Sequence, residues 1–158
     1  EIEAKVLDLK SYDKLNVEEI LKDYTLEREI SSLEKNRDLI EKHFSNSKLI
    51  DVFKSLKNDE NEWTNKTLQI LLKKSPTSMG VALRQLEIVK NLSFEECMVI
   101  EFRICQAMMS RNDFYEGVRA NLVDKDRNPK WSPTEIIEIN DKMIEDHFTP
   151  LGNKDLIN

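Results

Sequence analysis

The chain has 158 residues and a formal net charge of −6, which argues against duplex nucleic acid or an anionic membrane as its main partner. It contains only 3 glycines and 4 prolines, too few for the tight turns of a β-sandwich or an α/β enzyme, so we expect an all-α fold. No run of about 18 apolar residues occurs, so no membrane-spanning helix is predicted.

The first part of the chain gives weak helical signals. Residues 7–15 read as a short lead-in without regular structure. Asn16 is suited to cap a helix over residues 17–24, whose first turn is acidic. A second weak helix is predicted over residues 34–44, because apolar side chains recur there at helical spacing.

Two clearer amphipathic helices follow. Ser47 is placed to cap a third helix, in which apolar residues recur at helical spacing as far as Leu56. Residues 58–61 form a polar loop, and residues 63–74 form the fourth helix. We expect three leucines of the fourth helix to point inward: Leu68, Leu71 and Leu72.

The helix boundaries in the second half of the sequence are sharper. Pro76 suits the first position of a helix, with Ser75 as its N-cap. Ser93 and Glu96 have the spacing of a capping box, which opens the longest helix of the chain. That helix is expected to end near Met109, and its apolar residues lie on more than one side.

The last part of the chain alternates short helices with polar segments. Asp113 is predicted to cap a helix that runs to about Val123, and a charged loop over residues 124–131 follows. Ser132 and Asn140 begin two further short helical turns. In total we expect about eight helices, with no repeat and no strand.

The cysteines and histidines give little indication of chemistry. Cys97 and Cys105 would lie roughly 12 Å apart along one helix, too far for a disulfide, and we expect both to be reduced and buried. His43 and His147 lack the spacing of zinc ligands, so no metal is expected. No Ser-His-Asp set can be named from the sequence.

Two segments are more particular than a generic amphipathic helix. Residues 75–86 read SPTSMGVALRQL, and residues 112–131 contain DFYEGVRA followed by DKDRNPKW. In this order and spacing they resemble the C-terminal half of the 3-hydroxyisobutyryl-CoA hydrolases, a branch of the crotonase (enoyl-CoA hydratase/isomerase) superfamily. The close match covers residues 74–148, whereas residues 1–73 match only in helical character. We therefore divide the chain into a preceding helical segment, 1–73, and a motif-bearing region, 74–158.

The resemblance implies a helical C-terminal region that packs on an N-terminal ββα spiral core, which would lie upstream of Glu1. In that family the core supplies the two N–H groups that hold the thioester oxygen and the catalytic Glu and Asp. The implied reaction is mitochondrial: it converts 3-hydroxyisobutyryl-CoA to 3-hydroxyisobutyrate and free coenzyme A during valine breakdown. Coenzyme A is thus part of the substrate and not a resident cofactor. No catalytic residue is expected in this chain, which alone should be inactive.

One cationic cluster is a candidate for contact with the substrate. Lys125, Arg127 and Lys130 lie close together in sequence beside Trp131. The resemblance places the equivalent region near the nucleotide end of coenzyme A, so we expect these three side chains to contact its phosphates. The alternative is a solvated loop.

Other residues of the motifs are expected to have structural roles. Arg84 and Arg119 should pair with carboxylates across helix interfaces, and Gly117 should allow a close approach to the missing core. An apolar face without a partner should drive self-association of the isolated chain. Its expected members are Phe102, Met109, Phe114, Val118 and Leu122.

Two alternatives to the hydrolase remain open. The first is another acyl-CoA enzyme of the superfamily, such as a hydratase or isomerase. The second is a non-catalytic crotonase-like subunit that serves as a scaffold, for example in the mitochondrial ribosome. The sequence upstream would distinguish them, since a scaffold can lose the catalytic Glu and Asp.

Overall fold

The structure is a computed structural model that describes residues 2–9, 14–22, 24 and 30–156. Its described residues form ten α-helices and several short 3₁₀ or π turns, without a β-strand, which confirms the predicted all-α fold. The α-helices are α1 (Ile2–Leu7), α2 (Lys14–Lys22), α3 (Ser32–Lys35), α4 (Arg37–Phe44), α5 (Leu49–Lys57), α6 (Glu62–Leu71), α7 (Pro76–Ile88), α8 (Phe94–Met109), α9 (Asn112–Val118) and α10 (Asp141–Glu145). A π-helical segment, Arg119–Val123, continues α9.

The chain divides into two compact units, residues 1–38 and 39–158. In the first unit α1 contacts α2, and the Lys5 ammonium lies 4.9 Å from the centroid of the Tyr24 ring. The predicted lead-in is wrong at both of its described ends, because α1 reaches Leu7 and α2 begins at Lys14. Asn16 therefore lies inside α2 and is not its cap. Residues 10–13 of that lead-in are outside the described part of the chain.

The core of the second unit is built from α7, α8 and the segment after α10. Val81, Ile104 and Phe148 form its buried centre. Partly buried side chains surround this centre: Ile88, Ile100, Met108 and Ile144. A neighbouring layer comes from α5, which buries Val52, Phe53 and Leu56 and contacts α6 and α7.

Several predicted boundaries in the first half are wrong. The helix expected over residues 34–44 is interrupted at Asn36, which ends α3. Lys48, not Ser47, occupies the N-cap position of α5, and it makes no side-chain capping bond. Leu72 is 57% exposed, because α6 ends at Leu71 and the chain turns there.

The two cysteines are also more accessible than predicted. Cys97 is half-buried and Cys105 is exposed, and both are free. The reason is the orientation of α8, whose buried side carries Ile100, Ile104 and Met108. Because successive residues of a helix are turned by about 100°, Cys105 points away from this side, whereas Cys97 lies on it in the first turn of α8 and is only half-buried there.

The predicted caps of the two central helices are confirmed. The Ser75 hydroxyl accepts the Ser78 N–H at the start of α7. At the start of α8 the Ser93 hydroxyl accepts the Glu96 N–H, and the Glu96 carboxylate accepts the Ser93 N–H at 2.7 Å. This capping box lowers the pKa of Glu96, chiefly through the backbone bond from Ser93.

We expect Ser93→Ala to lower the free energy of unfolding by about 1 kcal/mol, because the N–H groups at the start of α8 lose an acceptor. Urea titration followed by circular dichroism measures the change. Gln106→Ala is the control, since Gln106 is exposed in the same helix and has no capping role. Equal midpoints for the two variants would show that the capping box adds no stability.

Candidate functional site

The segments that carry the motifs meet at the buried carboxylate of Asp113. One oxygen of Asp113 accepts the Ser75 hydroxyl at 2.6 Å, and the other accepts the Ser132 N–H at 2.8 Å. The prediction that Asp113 caps α9 is wrong, because the helix begins at Asn112. The side chain points into the protein and joins three segments that are distant in sequence. We call Ser75, Asp113 and Ser132 the Asp113 cluster.

Two further contacts hold the segment beside this cluster. The Glu116 carboxylate accepts the Lys130 N–H at 2.6 Å, and the Trp131 indole N–H donates to the Lys73 carbonyl at 3.0 Å. A Cβ atom at Gly117 would lie 3.3 Å from the Trp131 ring. At Gly117 the close neighbour within this chain is Trp131, and the predicted approach to a spiral core stays a prediction.

Arg119 organises the charged loop, residues 124–131, which we call the basic loop. Its guanidinium donates two bonds to Glu116, and Nη1 also contacts Asp124 at 2.6 Å and Asp126 at 2.7 Å. These bonds raise the pKa of Arg119. The pKa of the Glu116 carboxyl is lowered to about 2. The bond from Arg119 contributes most to this shift, and the bond from the Lys130 N–H comes next. Arg119 thus pairs with carboxylates as predicted, but the prediction that it does so across a helix interface is wrong, because its partners lie on its own helix and in the loop that follows.

The three predicted site cations all lie on the exposed surface of the basic loop. Lys125 and Arg127 have left-handed backbone angles, with φ of 57° and 53°. The side chains of Lys125, Arg127 and Lys130 appear in none of the ion pairs found among the described residues. The basic loop thus directs its carboxylates toward Arg119 and leaves its cations accessible to an anion.

Arg84 forms the second predicted ion-pair centre. Its guanidinium donates to Glu145 of α10 at 2.6 Å and to Glu87 of α7 at 2.8 Å. These bonds raise the pKa of Arg84. The three side chains border a cleft of about 430 Å³ between α5, α7 and α10, so this arginine ties two helices together as expected.

Sequence reasoning missed a Ser-His-Asp contact in the second unit. The fully buried His43 ring lies 2.8 Å from the Ser55 hydroxyl and 3.1 Å from the Asp59 carboxylate. Lys42 also donates to Asp59 at 2.7 Å and is the main cause of the lowered pKa of that carboxyl, about 2. The contact joins α4, α5 and the loop after α5. The available signal was a histidine followed by a serine on the next short helix and an aspartate in the loop after it.

An apolar face is exposed near the Asp113 cluster. Met109, Phe114 and Leu122 are 45%, 43% and 68% exposed, whereas Phe102 and Val118 are half-buried. We call these five residues the apolar face. The Phe114 ring packs edge-on against Tyr115, with ring centroids 5.3 Å apart. Exposed apolar groups that adjoin each other mark surfaces of interaction, and Phe114 and Tyr115 are such a pair.

Neither a metal site nor a membrane-spanning helix was found in the part of the chain that the structure describes. No group of three or more His, Cys, Asp or Glu side chains there could hold a metal ion. None of the described helices has both the length and the apolar character needed to cross a membrane.

Comparison with known proteins gives a consistent family. The family model described as enoyl-CoA hydratase/isomerase matches residues 1–148. The mitochondrial 3-hydroxyisobutyryl-CoA hydrolase of Gallus gallus is 36% identical over 161 residues, covering 99% of this chain and 42% of the relative. The human protein of the same name is also 36% identical, with 98% and 42% covered. The chain thus spans less than half the length of these relatives.

A solved structure extends the likeness to the fold. A carnitinyl-CoA dehydratase from Mycobacterium thermoresistibile superposes with a TM-score of 0.81 over 95% of this chain and 42% of that chain. Its sequence identity is 24%, so it supports the fold alone. The family model, by contrast, covers nearly the whole sequence. The chain belongs to the enoyl-CoA hydratase/isomerase family, the crotonase superfamily.

Proposed function

We propose that this chain is the C-terminal part of a mitochondrial hydrolase that cleaves 3-hydroxyisobutyryl-CoA to 3-hydroxyisobutyrate and coenzyme A. The observation that carries the proposal is the 36% identity to relatives of that name over nearly all of this chain. The segments with the most particular motifs are also the ones that meet at the Asp113 cluster. Because the residues of these motifs hold one loop in shape together, we expect relatives that share the loop to carry them as a set.

We propose that this chain helps to bind and position the coenzyme A part of the substrate. Hydrolysis of a thioester needs a stabilised oxyanion and an activated carboxylate or water. In the hydrolase branch those groups belong to the spiral core, so this chain contributes none of them. Its contribution is the basic loop, whose cations Lys125, Arg127 and Lys130 are proposed to contact the phosphates of coenzyme A. Their exposure, and the lack of an ion pair to any of them among the described residues, support this assignment.

The apolar face is the proposed docking surface for the spiral core. Phe114 lies on α9 and Leu122 on its π-helical continuation, and the two residues are 43% and 68% exposed. Burying such side chains is favourable by roughly 1.5–3 kcal/mol each. The more than half of each relative's length that this chain does not match is long enough to supply the partner.

The second candidate function is a different reaction on an acyl-CoA. The match of the chain to the enoyl-CoA hydratase/isomerase family model favours an enzyme that adds or removes water at an acyl chain. The two reactions differ in product, because only hydrolysis releases the free thiol of coenzyme A. A non-catalytic scaffold would give neither product.

We expect the isolated 158-residue chain to release no coenzyme A from 3-hydroxyisobutyryl-CoA above the uncatalysed rate, because the oxyanion donors and catalytic carboxylates are proposed to lie outside it. The longer natural protein that contains this chain should release coenzyme A in proportion to enzyme. A thiol-reactive dye measures the product. Rapid, enzyme-dependent release by the isolated chain would place the active site here. A longer protein that hydrates crotonyl-CoA without releasing thiol would favour the second candidate.

A further inference from the structure

We propose that Arg119 is a positioning residue that makes the basic loop a receptor for a phosphorylated nucleotide without touching that ligand. The inference rests on the proposed function, because the nucleotide is the 3′,5′-ADP portion of coenzyme A. The phosphates would contact Lys125, Arg127 and Lys130. Arg119 would act indirectly, by keeping the acidic residues of the same loop away from those cations.

The first argument is the distribution of charge within the basic loop. Acidic and basic residues alternate from Asp124 to Arg127, so without further constraint each cation has a carboxylate beside it. The structure separates them, because Asp124 and Asp126 both bind Nη1 of Arg119. The pKa of Asp126 is lowered chiefly by its bond from Arg119. Asp126 is therefore held in the charged state, and both carboxylates are occupied by Arg119.

The second argument is the backbone. Lys125 and Arg127 adopt left-handed angles, which non-glycine residues adopt at a cost in energy. Three bonds hold this conformation from the inner side: Asp124 N–H to Arg119 O at 2.8 Å, Arg127 N–H to Ala120 O at 2.9 Å, and Asn128 N–H to the Asp126 carboxylate at 2.9 Å. Such strain is retained where the surrounding contacts determine it, and it recurs at ligand sites.

The third argument is that Arg119 itself is already fully engaged. Its side chain is 33% exposed and donates to three carboxylates and to the Asn128 carbonyl. A guanidinium is the side chain that can do this, since its planar fork offers five donors. A lysine at this position offers a single ammonium group, which cannot reproduce the paired geometry. Arg119 thus organises the basic loop, and the three cations of that loop would contact the ligand.

The test is titration with 3′,5′-ADP, followed by calorimetry or by the fluorescence of Trp131. Removing an outward cation, Lys125→Gln or Arg127→Gln, should weaken binding about tenfold, the loss of one charge-assisted contact. Arg119→Gln should weaken binding at least as much, also about tenfold, because Asp124 and Asp126 are then free to pair with the cations. The triple variant Arg119→Gln/Asp124→Asn/Asp126→Asn should recover most of the affinity.

A matched control is Arg84→Gln, which also removes an arginine held by two carboxylates but lies on α7. It should leave the affinity for 3′,5′-ADP unchanged. Pantetheine, which lacks phosphate, should not bind to any variant at the concentrations used.

Three results would overturn the inference. In the first, Arg119→Gln binds as the wild type does, while Lys125→Gln binds weakly. In the second, the triple variant binds no better than Arg119→Gln, which would mean that Arg119 only supports the fold. In the third, the wild type binds no 3′,5′-ADP, so the basic loop is not a nucleotide site. The hydrolase proposal would survive that third result if the longer protein still releases coenzyme A from its thioester.

Discussion

Replacing Asp113 by alanine is expected to lower the free energy of unfolding of the second unit by about 3 kcal/mol. The side chain is only 8% exposed, and its two oxygens accept the Ser75 hydroxyl and the Ser132 N–H. Truncation would leave the buried Ser75 hydroxyl without an acceptor, which costs roughly 1–3 kcal/mol, and the loss of the bond from the Ser132 N–H, on an exposed residue, would add to this cost. The effect should extend beyond stability, because Ser132 directly follows the basic loop.

Two measurements check this prediction together. Urea titration followed by circular dichroism gives the change in stability, and hydrogen exchange of the amides in residues 124–132 gives the local effect. Asp51→Ala is the control, since Asp51 pairs with Lys54 at the surface and should change stability by about 0.5 kcal/mol or less. If the urea midpoint falls but the hydrogen-exchange rates of the basic loop stay as in the wild type, Asp113 stabilises the core without positioning the loop.

The predicted features that the structure confirms are mostly local ones. The Ser75 cap and the Ser93–Glu96 capping box depend on residues within three positions of each other. Such signals are complete in a short stretch of sequence. Asn16 and Asp113 have the same capping chemistry, yet neither serves as a cap, because a suitable side chain does not by itself place the helix start.

The Asp113 cluster shows why the candidate site could not be derived in full. Its bonds join residues 38 and 19 positions apart, and no periodic pattern links such distant segments. The three cations of the basic loop were visible as a cluster in the sequence. Their accessibility could not be predicted from the sequence, because it depends on the binding of Asp124 and Asp126 to Arg119 and not to the cations.

The contact between His43, Ser55 and Asp59 is a second example, in which the partners of a buried polar group could not be derived from the sequence. All three residues lie within two consecutive short helices and the loop that follows them. Helical spacing predicted the apolar side of α5 but gave no partner for a histidine on α4. The packing angle between the two helices decides that partner, and it is not encoded in periodicity.

Phe114→Asp is expected to convert a self-associating chain to a monomer. The isolated 158-residue chain exposes the apolar face, which in the longer protein is proposed to pack on the spiral core. Burying Phe114 and Leu122 against a second copy would remove the same surface from water. An unpaired carboxylate in that contact should cost about 3 kcal/mol, roughly a hundredfold increase in the dimer dissociation constant.

Sedimentation velocity over a range of concentrations measures that dissociation constant. Leu86→Asp is the matched control, because Leu86 is 66% exposed on α7 and lies outside the apolar face. It adds the same negative charge, so a change confined to Phe114→Asp separates the loss of a specific contact from a general effect of net charge. A wild-type chain that stays monomeric at high concentration and binds no hydrophobic dye would contradict the prediction. The apolar face would then be stable in water without a partner, and the proposed docking of the spiral core on Phe114 would lose its support.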